Sequence, residues 1–400
     1  MSFMPSSFTN LMTRRHRLIA TSAISIFCVA VEAGVPVLPG AEQLSPKAQL
    51  GQRLFFDTNL STPPGQACAS CHSPDTAFVD PDNSLPTSKG VIPGLKGPRN
   101  APTLLYAAFS PAFYLDRKHG LFTGGFFVDG RAATLADQAK GPFLNPIEMA
   151  NPDAFTVVNK VRESDYAELF RYVYGAEAFN YTDETYNNIA DAIATFEQSP
   201  VFKRFDSKYD YFLAGKTKFT EQEKRGRKLF EDSNKGNCAA CHPSRPAKDG
   251  TPPLFTDFTY DNLGVPRNPE NPFYTLVEFN PEGWSAVDIG LGGFVGESPQ
   301  NGKFKVPSLR NIAVTGPYMH NGYFKTLRGV VAFYSTRDTL PVCNNLFVVE
   351  ALALNSRCWP SPEVAENVNY RELGELMLSD SEIDDLVAFL QTLTDGYKIK

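Results

Sequence analysis

Two pentads carry the chemistry of this chain, Cys68-Ala-Ser-Cys71-His72 and Cys238-Ala-Ala-Cys241-His242. In each, two thiols three residues apart can form thioethers with the two vinyl groups of one porphyrin. The histidine that follows is then delivered to the iron as proximal ligand. A structural zinc site and a redox dithiol are the competing uses of this spacing. Zinc would need further cysteine or histidine ligands close by, whereas Ser73 and Pro243 follow the two histidines. The pattern predicts two covalently bound haem c groups, one on Cys68, Cys71 and His72 and one on Cys238, Cys241 and His242.

The elements that must present these pentads repeat as well. Gly51-Gln-Arg-Leu-Phe-Phe-Asp57 precedes the first and Gly226-Arg-Lys-Leu-Phe-Glu-Asp232 the second. Ser45-Pro46 offers an N-cap with proline at the first helical position. Thr220 and Glu223 form a capping box. Both stretches read as helices that pack a Leu-Phe face against a haem edge. Further helical segments are expected over 153–174 and 183–196, and a capped amphipathic helix begins at Ser379-Asp-Ser-Glu382 near the C-terminus. Residues 243–306 are rich in Pro, Gly and Asn, lack a sustained period and read as loop. The 31 prolines and 29 glycines among 400 residues fit long, ordered loops. Strand signals are few. The chain reads as mainly α, with two haem domains at 34–215 and 216–400 that divide at Gly215.

With 38 basic and 44 acidic residues the chain is mildly acidic and carries no nucleic-acid signature. Residues 1–33 read as a secretory signal peptide: Arg14, Arg15 and Arg17, an apolar run over 18–31, and Val31-Glu-Ala33 as cleavage site. The run is too short for a transmembrane helix, so no membrane span is expected after its removal. The destination would be the periplasm. Of seven cysteines, four hold haem and Cys28 leaves with the leader. Cys343 and Cys358 remain, and in an oxidising compartment they read as a disulfide, with two buried thiols as the alternative.

Further motifs resemble one family, the bacterial di-haem cytochrome c peroxidases with their MauG relatives. They are Arg99-Asn-Ala-Pro-Thr103, Asp129-Gly-Arg-Ala132, Gln138-Ala-Lys-Gly-Pro142, Ile147-Glu-Met149, Phe304-Lys-Val-Pro-Ser-Leu-Arg-Asn311 and Pro317-Tyr-Met-His-Asn-Gly322. They span nearly the whole chain after the leader, in the family's order. The resemblance implies two cytochrome c-like domains packed around an inter-haem calcium site. It makes the first haem the peroxidatic one, with Gln138, Pro142 and Glu148 in its distal pocket. Glu148 would move a proton between the two oxygens of hydrogen peroxide, and Met149 would line the pocket. The calcium ligands implied are the Asn100 side chain and the carbonyls of Thr315 and Pro317, an oxygen set suited to that ion.

Three departures from the ordinary peroxidase pattern bear on subtype. Where a histidine would ligate the resting first haem stands Ile92, with His119 the only nearby substitute, so that iron is expected to be five-coordinate. Where a methionine would ligate the second haem stands Tyr334, as in MauG, with Met319 the alternative ligand. A phenolate favours higher iron oxidation states than sulfur does. Where a tryptophan would lie between the haems stands Val128, which cannot be oxidised, so a relay would pass through Phe127, a nearby tyrosine or direct tunnelling. Val128 runs against a MauG-type mechanism, while the other features imply a periplasmic MauG-like peroxidase that shares oxidising equivalents between its haems and oxidises a partner protein. The alternatives are a peroxidase drawing electrons from a small cytochrome c or cupredoxin, and a non-enzymatic electron carrier.

Overall fold

The computed structural model describes residues 36–399, and the expected leader, its cleavage site and Cys28 lie outside the described residues. The helices in chain order are α1 Pro46–Phe56, α2 Cys68–Cys71, α3 Leu135–Leu144, α4 Ala154–Arg162, α5 Ala167–Tyr174 and α6 Thr182–Glu197. They continue with α7 Lys208–Leu213, α8 Glu221–Glu231, α9 Leu291–Val295, α10 Leu327–Thr336, α11 Glu350–Ser356 and α12 Asp380–Gln391. Four short strands form two antiparallel pairs, β1 Tyr114–Asp116 with β2 Leu121–Thr123, and β3 Tyr260–Asp261 with β4 Phe304–Lys305. Short 3₁₀ turns and irregular segments make up the rest of the described residues. Among the described residues no helix is long and apolar enough to cross a membrane.

The caps read from sequence close the expected helix ends. Ser45 accepts from the Ala48 N–H at the start of α1, and Thr220 with Glu223 and Ser379 with Glu382 make reciprocal capping boxes at α8 and α12. The segment expected to be helical over 153–174 is instead two helices. Ser164 turns its hydroxyl onto the Val161 carbonyl (2.7 Å), a local bond that competes with continuation of α4.

The sequence repeat is a structural repeat. α1 crosses α6 and α8 crosses α12, each at a glycine. A Cβ added to Gly51 would lie 2.0 Å from the Ala192 carbonyl oxygen, and one added to Gly226 would lie 1.9 Å from that of Asp385. Only glycine lets the helix backbones approach so closely. Phe55 then packs on Phe196 with ring centroids 5.5 Å apart, and Phe230 on Phe389 at 5.2 Å. Each crossing anchors one core. The first gathers Leu50, Leu54, Phe55, Phe170, Ile189 and Phe202, and the second Phe219, Phe230, Phe255, Leu386 and Phe389. Tyr209 of α7 lies N-terminal to Gly215 yet packs in the second core, 5.1 Å from Phe255 and 5.8 Å from Phe389. A third cluster under α10 contains Phe324, Phe333 and Trp359. Beside it Cys343 and Cys358 are joined as a disulfide.

Candidate active site

The two pentads open onto one continuous cavity of about 560 Å³ with mostly apolar walls. Cys68, Cys71 and His72 line it, as do Cys238, Cys241 and His242. The first pentad makes one helical turn (α2), and the second a 3₁₀ turn. In both, the histidine N–H bonds the first cysteine's carbonyl at 3.0 Å.

Each histidine is held by an equivalent carbonyl. His72 Nδ1 lies 3.1 Å from the Phe78 oxygen, and His242 Nδ1 lies 2.7 Å from the Phe255 oxygen. Both phenylalanines have positive φ, 57° and 54°. The turns are tied down alike: Thr103 Oγ1 donates to the Ala77 carbonyl and Ser308 Oγ to the Leu254 carbonyl, both at 2.6 Å. With Nδ1 donating to a carbonyl, the Nε2 lone pair is left for a metal. Burial pushes both imidazoles below their ordinary pKa, with the carbonyl bonds opposing, which favours the neutral ligand form. Four unpaired half-buried cysteines, two oriented histidines and an apolar cavity fit two covalent haems.

The residues expected around the first haem are brought together. Thr134 caps α3, whose Leu135, Gln138, Ala139 and Pro142 fall on one helical face and line the cavity. The turn after α3 places Glu148 on the same wall. Asn145 Nδ2 donates to Glu148 Oε1 at 2.8 Å, leaving Oε2 for a second partner. Burial pushes the Glu148 carboxyl above its ordinary pKa, while Arg131 and Asn145 hold it back. Met149 is buried in the same wall.

Of the four described histidines, His72, His242 and His320 line the cavity. His320 is stacked on Phe304 with centroids 3.6 Å apart. His119 sits at the surface in the β1–β2 turn, paired with Asp116 at 2.6 Å. The cavity wall near Ile92 is made by Ser88, Lys89 and Gly97, and Ile92 itself forms a turn with Leu95.

Tyr334 and Met319 both line the cavity. The last turn of α10 carries Tyr334, and burial pushes its phenol above the ordinary range, with the sulfurs of Cys241 and Cys238 the nearest further influence. Tyr334 is half-buried and lies against the third core cluster while facing the cavity. Asn100 Nδ2 lies 2.6 Å from the Pro317 carbonyl oxygen, and Thr315 lines the same space. Turning the amide over would put Asn100 Oδ1 beside that carbonyl.

Several wall residues carried no role in the sequence reading, although Arg131 and Lys305 lie within its motifs. Arg131 lies over the Phe127 ring at 3.6 Å and pairs with Asp129. Lys305 donates to the Gly125 carbonyl at 2.6 Å, and burial pushes its ammonium down to about 8. Glu197 follows Phe196, where the second half has Leu390 after Phe389. It is buried, and its carboxyl is pushed up to about 8. The first repeat departs from expectation in one respect. Phe230 reaches the cavity, but its counterpart Phe55 is enclosed by Phe56, Phe78, Phe196 and Phe202. The signal for the carbonyl clamps was present in Ala101-Pro-Thr-Leu104 and Val306-Pro-Ser-Leu309, a second internal repeat.

The family model described as di-haem cytochrome c peroxidase matches residues 45–218. The chain is 41% identical to the methylamine utilization protein MauG of Paracoccus denitrificans, over 90% of this chain and 92% of that protein. It is 32% identical to a cytochrome c551 peroxidase of Nitrosomonas europaea, over 79% of this chain and 83% of the relative. Its fold matches the crystal structure of the diheme peroxidase BthA from Burkholderia thailandensis with a TM-score of 0.72 and 31% identity. That match covers 91% of this chain and 93% of that one.

Proposed function

Because this chain belongs to the di-haem cytochrome c peroxidases and is an oxidoreductase with two haem groups, we propose that it is MauG-like within them. In this reading hydrogen peroxide is reduced at the first haem, and the oxidising equivalents are shared with the second and spent on a partner protein. The observation that carries it is Tyr334, a half-buried phenol that lines the same cavity as Cys238, Cys241 and His242.

When bound, the haems supply peroxide binding at iron and one-electron storage. The chain's own residues do the rest. His72 and His242, fixed through the Phe78 and Phe255 carbonyls, hold the proximal positions. Ile92, in a turn with Leu95, and His119, paired with Asp116, would supply no ligand to the first haem, which would leave it accessible to peroxide. Glu148 takes a proton from one peroxide oxygen and returns it to the other, and the Asn145 bond fixes which carboxyl oxygen is free for this. Gln138 and Pro142 shape the space in front of it. Tyr334 would hold the second haem through its phenolic oxygen, giving up its proton to bind iron.

Calcium belongs to the same proposal. Asn100 beside the Pro317 carbonyl, with Thr315 adjacent, supports an oxygen site for it between the two halves. Periplasmic placement is supported by the Cys343–Cys358 disulfide. Two haem units, 34–215 and 216–400, belong to the same proposal, with Tyr209 of the first reaching into the core of the second. One observation favours the second reading, a peroxidase fed by a small cytochrome c or cupredoxin. Val128 lines the cavity and cannot be oxidised as a relay.

Substituting Tyr334→Phe separates the two readings. The MauG-like one expects a changed spectrum and a raised potential at the second haem, and loss of any long-lived oxidised state after one equivalent of peroxide. A redox titration of each haem that matches wild type would make Tyr334 a packing residue and leave the conventional peroxidase as the account.

A further inference from the structure

We propose that Tyr274 and Trp284 form a surface oxidation site, through which a one-electron aromatic donor such as a phenol reduces the peroxide-oxidised haem cavity. The inference needs peroxide reduction at a haem and is independent of whether Tyr334 is a ligand. It starts from a line of contacts between the cavity and solvent. Glu363 lines the cavity, and its Oε2, without a hydrogen-bond partner, lies 3.9 Å from His320 Nε2. Its Oε1 accepts from the Tyr274 hydroxyl at 3.1 Å. The Tyr274 ring is stacked on Trp284, with centroids 4.7 Å apart and planes 18° from parallel. Tyr274 is buried, whereas Trp284 is 37% exposed. Phe347, also exposed, meets the Trp284 ring edge-on at 4.8 Å. The outer end is therefore an open aromatic surface on which a planar donor can stack.

Phenol and indole are the side chains most readily oxidised by one electron, and here they are in contact, in order, from inside to outside. The electron leaves Tyr274 for the oxidised haem, and the phenolic proton moves along its hydrogen bond to Glu363. Arg267 lies 5.3 Å from the Tyr274 ring and disfavours a cationic ring, so loss of that proton is part of the step. Trp284 then gives an electron to the tyrosyl radical, which recovers its proton from Glu363. The exposed indole releases its N–H proton to water and regains an electron and a proton from the donor. The net change is one electron from the donor to the haem and one proton to solvent. The chain's other tryptophan, Trp359, is enclosed by Phe324 and Phe333, with its N–H on Thr336 Oγ1 at 3.0 Å, and offers no such surface.

The test treats the holoprotein with hydrogen peroxide in air without a reductant, then maps oxygen adducts by peptide mass spectrometry. Trp284 is expected to be oxidised ahead of Trp359. The adduct should be lost in Tyr274→Phe, and also in Glu148→Gln, where peroxide turnover is impaired. Added phenol should suppress the adduct and be consumed in wild type, with slower consumption in Trp284→Phe. An unmodified Trp284 in wild type would overturn the proposal. So would labelling that persists unchanged in Tyr274→Phe, or that is equal in Glu148→Gln and so comes from peroxide acting directly. Equal phenol consumption by wild type and Trp284→Phe would also overturn it.

Discussion

Glu148 is where a single side chain has the largest expected effect on rate. Proton transfer by a positioned group is typically worth about 10²–10⁴-fold, so Glu148→Gln should slow peroxide turnover by that order. The pH dependence has a definite sign. Glu148 must start as the carboxylate to take the first proton, and burial raises its pKa. The acid limb of kcat/KM should therefore lie above the ordinary glutamate value of about 4.3, and it should vanish in Glu148→Gln. A pH–rate profile checks both. The pentads expected to bear the haems were legible because a thiol pair and its histidine leave a side-chain signature. The carbonyls of Phe78 and Phe255 that steer those histidines were not, because a main-chain oxygen has no residue type. Glu197 and Lys305 escaped for a related reason: their role comes from burial, which a charged residue in a sequence does not announce.

At the level of elements, the two glycine crossings carry the architecture. Gly226→Ala would push a Cβ into the Asp385 carbonyl, a backbone atom that cannot swing aside. Overpacking of this kind typically costs about 1–3 kcal/mol. A lowered thermal midpoint of the holoprotein is expected for Gly226→Ala and, from the matching geometry, for Gly51→Ala. Thermal scans monitored by haem absorbance would show it, and an unchanged midpoint for both would mean that the helices separate without cost. These helices were readable because caps and period agree over a full span. The break between α4 and α5 was not, since its apolar pattern continues across Ser164 and only the serine's bond to Val161 interrupts it. The stretch from 243 to 306 was legible as mostly loop, but neither α9, β3 and β4 within it nor its place in the cavity wall was.

On the scale of the whole molecule, the two halves are fastened by a few buried polar ties. Arg310, almost fully enclosed, bonds both carboxylate oxygens of Asp210 (3.0 and 2.8 Å) and lies over the rings of Tyr106 and Phe205. Tyr106, in the first core, donates to Asp395, which also accepts from Asn311 at 2.7 Å. Arg310→Met would leave Asp210 buried without its cation, and removing one partner of such a pair typically costs about 3–5 kcal/mol. Calorimetry should find a large drop in stability, and a smaller one in a variant with Asp210→Asn as well. If calcium sits at Asn100, chelation should lower stability and slow electron sharing between haems. Asn100→Ala should reproduce this, and added calcium should reverse it only in wild type.

The Cys343–Cys358 bond also bears on how the polypeptide is made. Six described cysteines share one chain, and two of them are crosslinked to each other while four must stay free for porphyrin. An oxidising environment does not distinguish them, and six thiols can be joined in many wrong ways, each of which costs a haem its anchorage. Assembly is therefore a sorting problem. The pentads must be kept reduced, or claimed by porphyrin, while the pair fifteen residues apart near the C-terminus closes. If the chain is exported as proposed, the first pentad emerges long before Cys343, and the order of export itself favours the right outcome.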